Sequence, residues 1–223
     1  MTDDRSGSRL DQMTRAQQIT ALFPKLTALD GQYTALWDEM QGLFLEKKIG
    51  GAFAPIIEHR RRQLKTPRKM IRENILGART TLLSGGTAPL APLYLSDLQH
   101  RFAGIESMIQ RARTIARDLT ELLGLVRSQG DIGQLMRHAE AFWTEHQRAQ
   151  EHLLEDIPHR DTISSVVVLE QRLRHATREI PLVRSFAGSG APRAEIEAEV
   201  TKLTKAIDYT GRRIQRVKKE LGY

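Results

Sequence analysis

Between Lys47 and Arg79 the chain sets ten cationic side chains, Lys47, Lys48, Arg60, Arg61, Arg62, Lys65, Arg68, Lys69, Arg72 and Arg79, against only Glu58 and Glu73. The whole protein carries a net charge of +7, so its charge excess is concentrated in this one segment. Such a patch draws an anionic partner. Arginine outnumbers lysine 25 to 9, and its planar fork suits carboxylate and phosphate alike. Arg60, Arg61, Arg62, Lys65, Arg68, Lys69 and Arg72 are therefore the candidate partner- or phosphate-binding residues. Three occupants fit the charge: an acidic protein surface, a nucleic-acid backbone held with steep salt dependence, or an anionic lipid surface. No aromatic residue lies between Ala54 and Leu93. The segment itself therefore offers no platform for stacking single-stranded bases and no Trp or Phe wedge for a bilayer.

Other chemistries find less support. The seven histidines are His59, His100, His138, His146, His152, His159 and His175. His138, Glu145 and His152 share a column on a helix, but successive members stand about 10 Å apart along its axis, too far to share one metal ion. Neither a His-Glu-x-x-His nor a Glu-x-x-His pair occurs, so zinc-protease and di-iron bundle sites are not indicated. Gly188-Ser189-Gly190 precedes a helix, yet no lysine follows at phosphate-loop spacing, and it reads as a linker. Ser164, Ser165 and the scattered acids form no local nucleophile–base motif. The absence of cysteine removes thiol catalysis, disulfides and cysteine-bound metals. No catalytic residue, metal or cofactor is expected.

The elements that must carry the patch are helices with a near-heptad period. The first seam runs Leu22, Leu26, Leu29, Tyr33, Leu36, Met40 and Leu43, with Trp37 and Phe44 forming a second stripe beside it. Pro24 predicts a kink or the true start of that helix, and Gly50-Gly51 predicts its end. The second seam, Ile57, Arg61, Leu64, Arg68, Ile71, Ile75, Ala78 and Leu82, is interrupted by two arginines. Thr66-Pro67 reads as a cap and restart, so the basic half is expected to lack an apolar face. The third helix, capped by Ser96 or Asp97, carries Leu98, Phe102, Ile105, Ile109, Ala112, Ala116, Leu119, Leu123 and Val126 over about 50 Å. Gly130 breaks it. Asp131 then caps a helix with Ile132, Leu135, Ala139, Phe142, His146, Ala149 and Leu153. So short a turn predicts an antiparallel hairpin over 97–157, with His146 as a polar seam residue that sets register.

Pro158 closes that helix, and Asp161 caps the next one, which carries Val166, Leu169, Leu173, Ala176 and Ile180 and ends at Pro181. After the linker and Pro192, the last seam reads Ile196, Val200, Leu203, Ile207, Thr210, Ile214, Val217 and Leu221. Glutamates open this helix and cations close it, in keeping with its dipole.

The fold class is therefore all-α, with long heptad-patterned helices forming antiparallel coiled-coil hairpins or an elongated bundle. Residues 1–8 are expected to be disordered. A helical region spans 9–83, a Gly/Pro hinge 84–96, and a coiled-coil region 97–223. No membrane span or signal segment is apparent, and cytoplasmic residence is expected. The expected function is non-enzymatic: a coiled-coil assembly protein, adaptor or scaffold, docking partners through seams and the basic patch. Nucleic-acid binding is the alternative, and an anionic-membrane module is third. Ile196, Val200, Leu203, Ile207, Ile214, Val217 and Leu221 are the expected homodimer seam.

Overall fold

The computed structural model describes residues 10–45, 49, 51–84 and 86–223. Expectations placed on residues 1–8, Lys47, Lys48, Gly50 and Gly85 lie outside the described residues. Among the described residues the fold is all-helical and bundle-like. Its helices are α1 Arg15–Leu45, α2 Ala54–Leu83, α3 Pro92–Arg127, α4 Ile132–Glu155, α5 Ser164–Gly188 and α6 Arg193–Glu220, with a short 3-10 turn at Arg160–Thr162. None of them is long and apolar enough to cross a membrane.

Three prolines expected to end or restart helices lie inside them: Pro24 in α1, Pro67 in α2 and Pro181 in α5. Pro24 and Pro181 are exposed, as are Thr20 and Thr177 one turn earlier. The carbonyl that loses its donor in each case belongs to a solvent-facing residue. Pro67 is buried, and it explains why the expected seam of α2 is corrected. The buried row reads Ile57, Arg61, Leu64, Pro67, Ile71, Ile75, Ala78 and Leu82. The proline ring takes the seam position assigned to Arg68, so the basic half does have an apolar face. Each Leu or Ile buried there contributes roughly 1.5–3 kcal/mol. Together they outweigh the roughly 3 kcal/mol that a proline costs inside a helix.

The chain divides into two compact units, Met1–Glu46 with Arg60–Thr120, and Lys47–His59 with Glu121–Tyr223. The division does not fall at the Gly/Pro stretch. That loop belongs to the first unit, where the Leu90 N–H donates to Gln18 Oε1 at 2.7 Å. The third helix begins at Pro92 rather than at Ser96 or Asp97. Proline suits a first turn, where its missing donor is not needed. Asp97 instead accepts from Arg101 at 2.7 Å.

In the first unit, Leu22, Leu26, Leu29, Leu36 and Met40 of α1 are buried as expected. The row extends backward through two polar residues, Gln18 and Arg15. Arg15 Nη2 donates to the carbonyls of Thr81, Leu82 and Ser84 at 3.0, 2.7 and 3.2 Å. These are end groups of α2 that lack helical donors, and a cation there also complements the helix dipole. Arg79 pairs with Asp30 at 2.7 Å, joining α2 to α1 again. Lys25 and Glu106, 3.5 Å apart, join α1 to α3.

In the second unit, α4, α5 and α6 pack mutually. Leu154 and Ile157, Val166, Leu169 and Leu173, and Ile214 and Val217 form one apolar cluster. The Asp131 cap is as expected, its Oδ1 accepting from the Gln134 N–H at 2.8 Å. Beyond it the seam of α4 departs from the pattern. Ala149 is exposed and His146 only half-buried, while Trp143, Gln147, Gln150 and Leu154 are buried. Polar pairing helps to bury two members of that row. Trp143 Nε1 donates to Thr204 Oγ1 at 2.9 Å, and Gln150 Nε2 to the Ile207 carbonyl at 3.0 Å. A Cβ on Gly211 would stand 2.8 Å from Gln150 Nε2, so α6 is smallest where the amide lies.

Helix α5 starts at Ser164 and runs to Gly188; Asp161 belongs to the 3-10 turn and caps nothing. Val183, beyond Pro181, is buried, and Ile180 is only partly so. Helix α6 buries Ile196, Val200, Leu203, Ile207, Thr210, Ile214 and Val217. That seam, expected at a homodimer face, is buried inside the chain. Leu221, past the end of α6, is exposed. At the ends of the bundle, Arg193 Nη1 donates to the Gln129 and Gly130 carbonyls at 2.7 and 2.9 Å. Lys218 donates to Asp156 Oδ2 at 2.7 Å, and that hydrogen bond, followed by the ammonium charge, holds the Asp156 carboxyl below its ordinary value.

Candidate functional site

The seven cations singled out in α2 do not form one surface. Arg61 is 6% exposed, and its Nε donates to the Leu43 carbonyl at 2.9 Å. It does for the end of α1 what Arg15 does for the end of α2, so its role is internal. Half-buried Arg60 donates to Gln63 Oε1 at 2.7 Å. Arg62, Lys65, Arg68, Lys69 and Arg72 are exposed. This sorting follows from helical geometry: the row Leu64, Pro67, Ile71 turns inward, which sends positions 65, 68, 69 and 72 outward.

Those four outward cations line a groove of about 900 Å³ within the first unit. Its other wall comes from α1: Tyr33, Trp37, Phe44 and Leu45. The aromatics absent from the basic segment are thus supplied by the neighbouring helix. Tyr33, Trp37 and Phe44 are each half-buried, while Leu45 at 78% and Leu76 at 50% exposure present aliphatic surface. The Trp37 and Phe44 rings lie 5.5 Å apart with 31° between their planes. The Arg68 guanidinium carbon sits 3.1 Å from the Trp37 ring centroid, a cation–π stack. Glu73, the carboxylate among the described lining residues, stands 3.8 Å from Lys69.

Sequence reasoning found the cations and missed their aromatic counterpart as part of a site. The signal was present as the Trp37–Phe44 stripe beside the seam of α1, read there as packing against a further neighbour. That stripe does meet a neighbour, but only in part, and its uncovered half faces the groove.

A second groove, of about 530 Å³, lies between α5 and α6 in the other unit. Arg172, His175, Glu179, Glu199, Lys202 and Tyr209 are among its lining residues. Its charges are matched locally: Lys202 with Glu199 at 3.3 Å and His175 with Glu179 at 3.6 Å. Arg172 lies 5.6 Å from the Tyr209 centroid. The histidines make a third feature. His59 and His146 have ring centroids 4.3 Å apart, His146 and Phe142 4.0 Å, and His59 Nε2 lies 3.7 Å from Glu145. His146 therefore packs in an aromatic cluster rather than setting register in a seam. Among the described residues no three His, Asp or Glu side chains converge as a metal site would require.

Comparison with protein-family models, with characterised proteins and with solved structures finds no match.

Proposed function

We propose that this protein is a non-enzymatic helical adaptor that docks an anionic partner in the groove between α1 and α2. The observation that carries the reading is one juxtaposition: Lys65, Arg68, Lys69 and Arg72 face Tyr33, Trp37 and Phe44 across a single concave surface. Interfaces draw their energy from aromatic and arginine anchors in pockets, while surrounding charge sets orientation and encounter rate. The packed second unit serves as the scaffold in this reading, with its heptad seams as coiled-coil hairpins, and a cytoplasmic assembly is the setting we assign.

A pull-down tests it. Wild type and the variant Arg68→Gln/Lys69→Gln/Arg72→Gln are compared, with nuclease added to half of each sample. We expect protein partners that survive nuclease and are depleted several-fold by the variant. Identical recovery with both proteins overturns docking at this groove. Nucleic-acid binding stays as a second reading because cations beside aromatic rings are also how single strands are held. It predicts nuclease-sensitive recovery and an affinity for oligonucleotide that falls steeply with salt.

A further inference from the structure

We infer that the occupant of the α1/α2 groove is an acidic amphipathic helix of about three turns, supplied by a partner protein. The inference rests on the docking reading and specifies its ligand. Length comes first. The lining runs from Tyr33 to Leu45 on α1 and from Lys65 to Leu76 on α2, which is about 16–18 Å of helix axis on each side. A groove of that length between two helices is filled by about eleven residues of a third, with ridges set into the groove. An extended peptide has less to hold it: there is no strand among the described residues whose edge it could extend.

Charge and the chemistry of the lining fix the rest. The lining carries four cations and one carboxylate, Glu73, which lies beside Lys69. The ligand that complements them carries Asp or Glu along its flanks. The lining mixes aromatic rings with aliphatic Leu45 and Leu76. Aliphatic carbon gives a nucleobase no stacking face, and one face of Trp37 is already covered by Arg68. Leu, Ile or Phe at spacings of three, four and seven on a ligand helix match such a lining. A bilayer is a poor fit because the apolar side chains and the cations face each other across a concavity, whereas interfacial helices present a convex apolar face. The partner's carboxylates meet Arg68 and Arg72, and its apolar side chains lie along Trp37 and Phe44.

The test is selection from a displayed library of single helical peptides of about 14 residues, randomised on one face, against the full chain. Selected peptides are synthesised, labelled and titrated by fluorescence anisotropy at low and high salt. We expect Asp and Glu enriched over the starting library, flanking apolar residues at helical spacing. We also expect binding about tenfold weaker to Arg68→Gln/Lys69→Gln/Arg72→Gln and to Trp37→Ala. Arg111→Gln/Arg113→Gln/Arg117→Gln removes as much charge from exposed positions on α3, and binding to it should match wild type. Peptides without acidic enrichment, or equal binding to wild type and the groove variants, overturn the inference. So does displacement of the peptide by oligo(dT) or phosphatidylserine vesicles that themselves bind the groove. If the selection fails while nuclease-resistant partners are still lost from the glutamine variant, docking stands and the helical ligand falls. If the variant loses no partner, the docking reading falls with it.

Discussion

The groove between α1 and α2 and the groove between α5 and α6 are built from the same materials and differ in how completely the chain satisfies them. Between α5 and α6, Lys202 lies 3.3 Å from Glu199 and His175 lies 3.6 Å from Glu179. In the core of that unit the Trp143 indole N–H donates to Thr204. Between α1 and α2, four cations line the wall beside one carboxylate, and the aromatic rings are left half-uncovered. The two tryptophans summarise the contrast. Trp143 is fully buried with its indole N–H bonded, whereas Trp37 is half-buried, with Phe44 beside it and Arg68 stacked on its ring. The excess of cations over carboxylates is what makes the second groove, in the docking reading, the one suited to an anionic partner.

Breaking this contrast should show first in stability. Trp143→Ala is expected to cost about 3–5 kcal/mol through the cavity and the orphaned Thr204 hydroxyl, read as a drop in the denaturant midpoint. Trp37→Ala should cost about 1 kcal/mol or less. Equal losses would mean that both rings are core and would remove the basis for a binding groove.

The arginines give a second, smaller comparison. Arg15→Ala leaves end carbonyls of α2 without their donor and is expected to cost about 1–3 kcal/mol, with faster amide exchange in the last turns of α2. Arg68→Ala loses only a cation–π contact at an exposed site, about 0.5–1 kcal/mol. The reverse order would place Arg68 among the structural arginines.

The smallest effect lies at Asp156. Lys218 holds its carboxyl below the ordinary value in the folded protein, so its contribution is complete above the unfolded carboxylate pKa, about 3.9. It disappears as pH falls through the lower folded pKa. An NMR titration should find the Asp156 carboxyl depressed in wild type and returned toward its ordinary value in Lys218→Met. No change between the two would show that the contact is not maintained in solution.

Much of the helical framework was legible because a seam is a local property. The rows Leu98 to Leu123 on α3 and Ile196 to Val217 on α6 are buried as their spacing predicts. The concentration of cations in α2 was equally plain. The failures share one cause. Proline looked like a boundary at positions 24, 67 and 181 because its cost is local, whereas the burial that offsets it at Pro67 comes from neighbouring helices. On α4 the expected row through Ala149 gave way to Gln147 and Gln150, since an amide can be buried once Ile207 supplies a carbonyl to one of them.

The sequence by itself determined that this protein is helical, where its apolar faces run and where its charge gathers, because each of these depends on residues a few positions apart. Only the tertiary structure decided what covers each face. It closed the seam of α6 inside the chain and turned Arg61 inward onto Leu43. It also brought Tyr33, Trp37 and Phe44 opposite Lys65, Arg68, Lys69 and Arg72. Heptad spacing states that a helix face must be buried but not by which partner, and a groove exists only between two helices whose pairing that spacing leaves open.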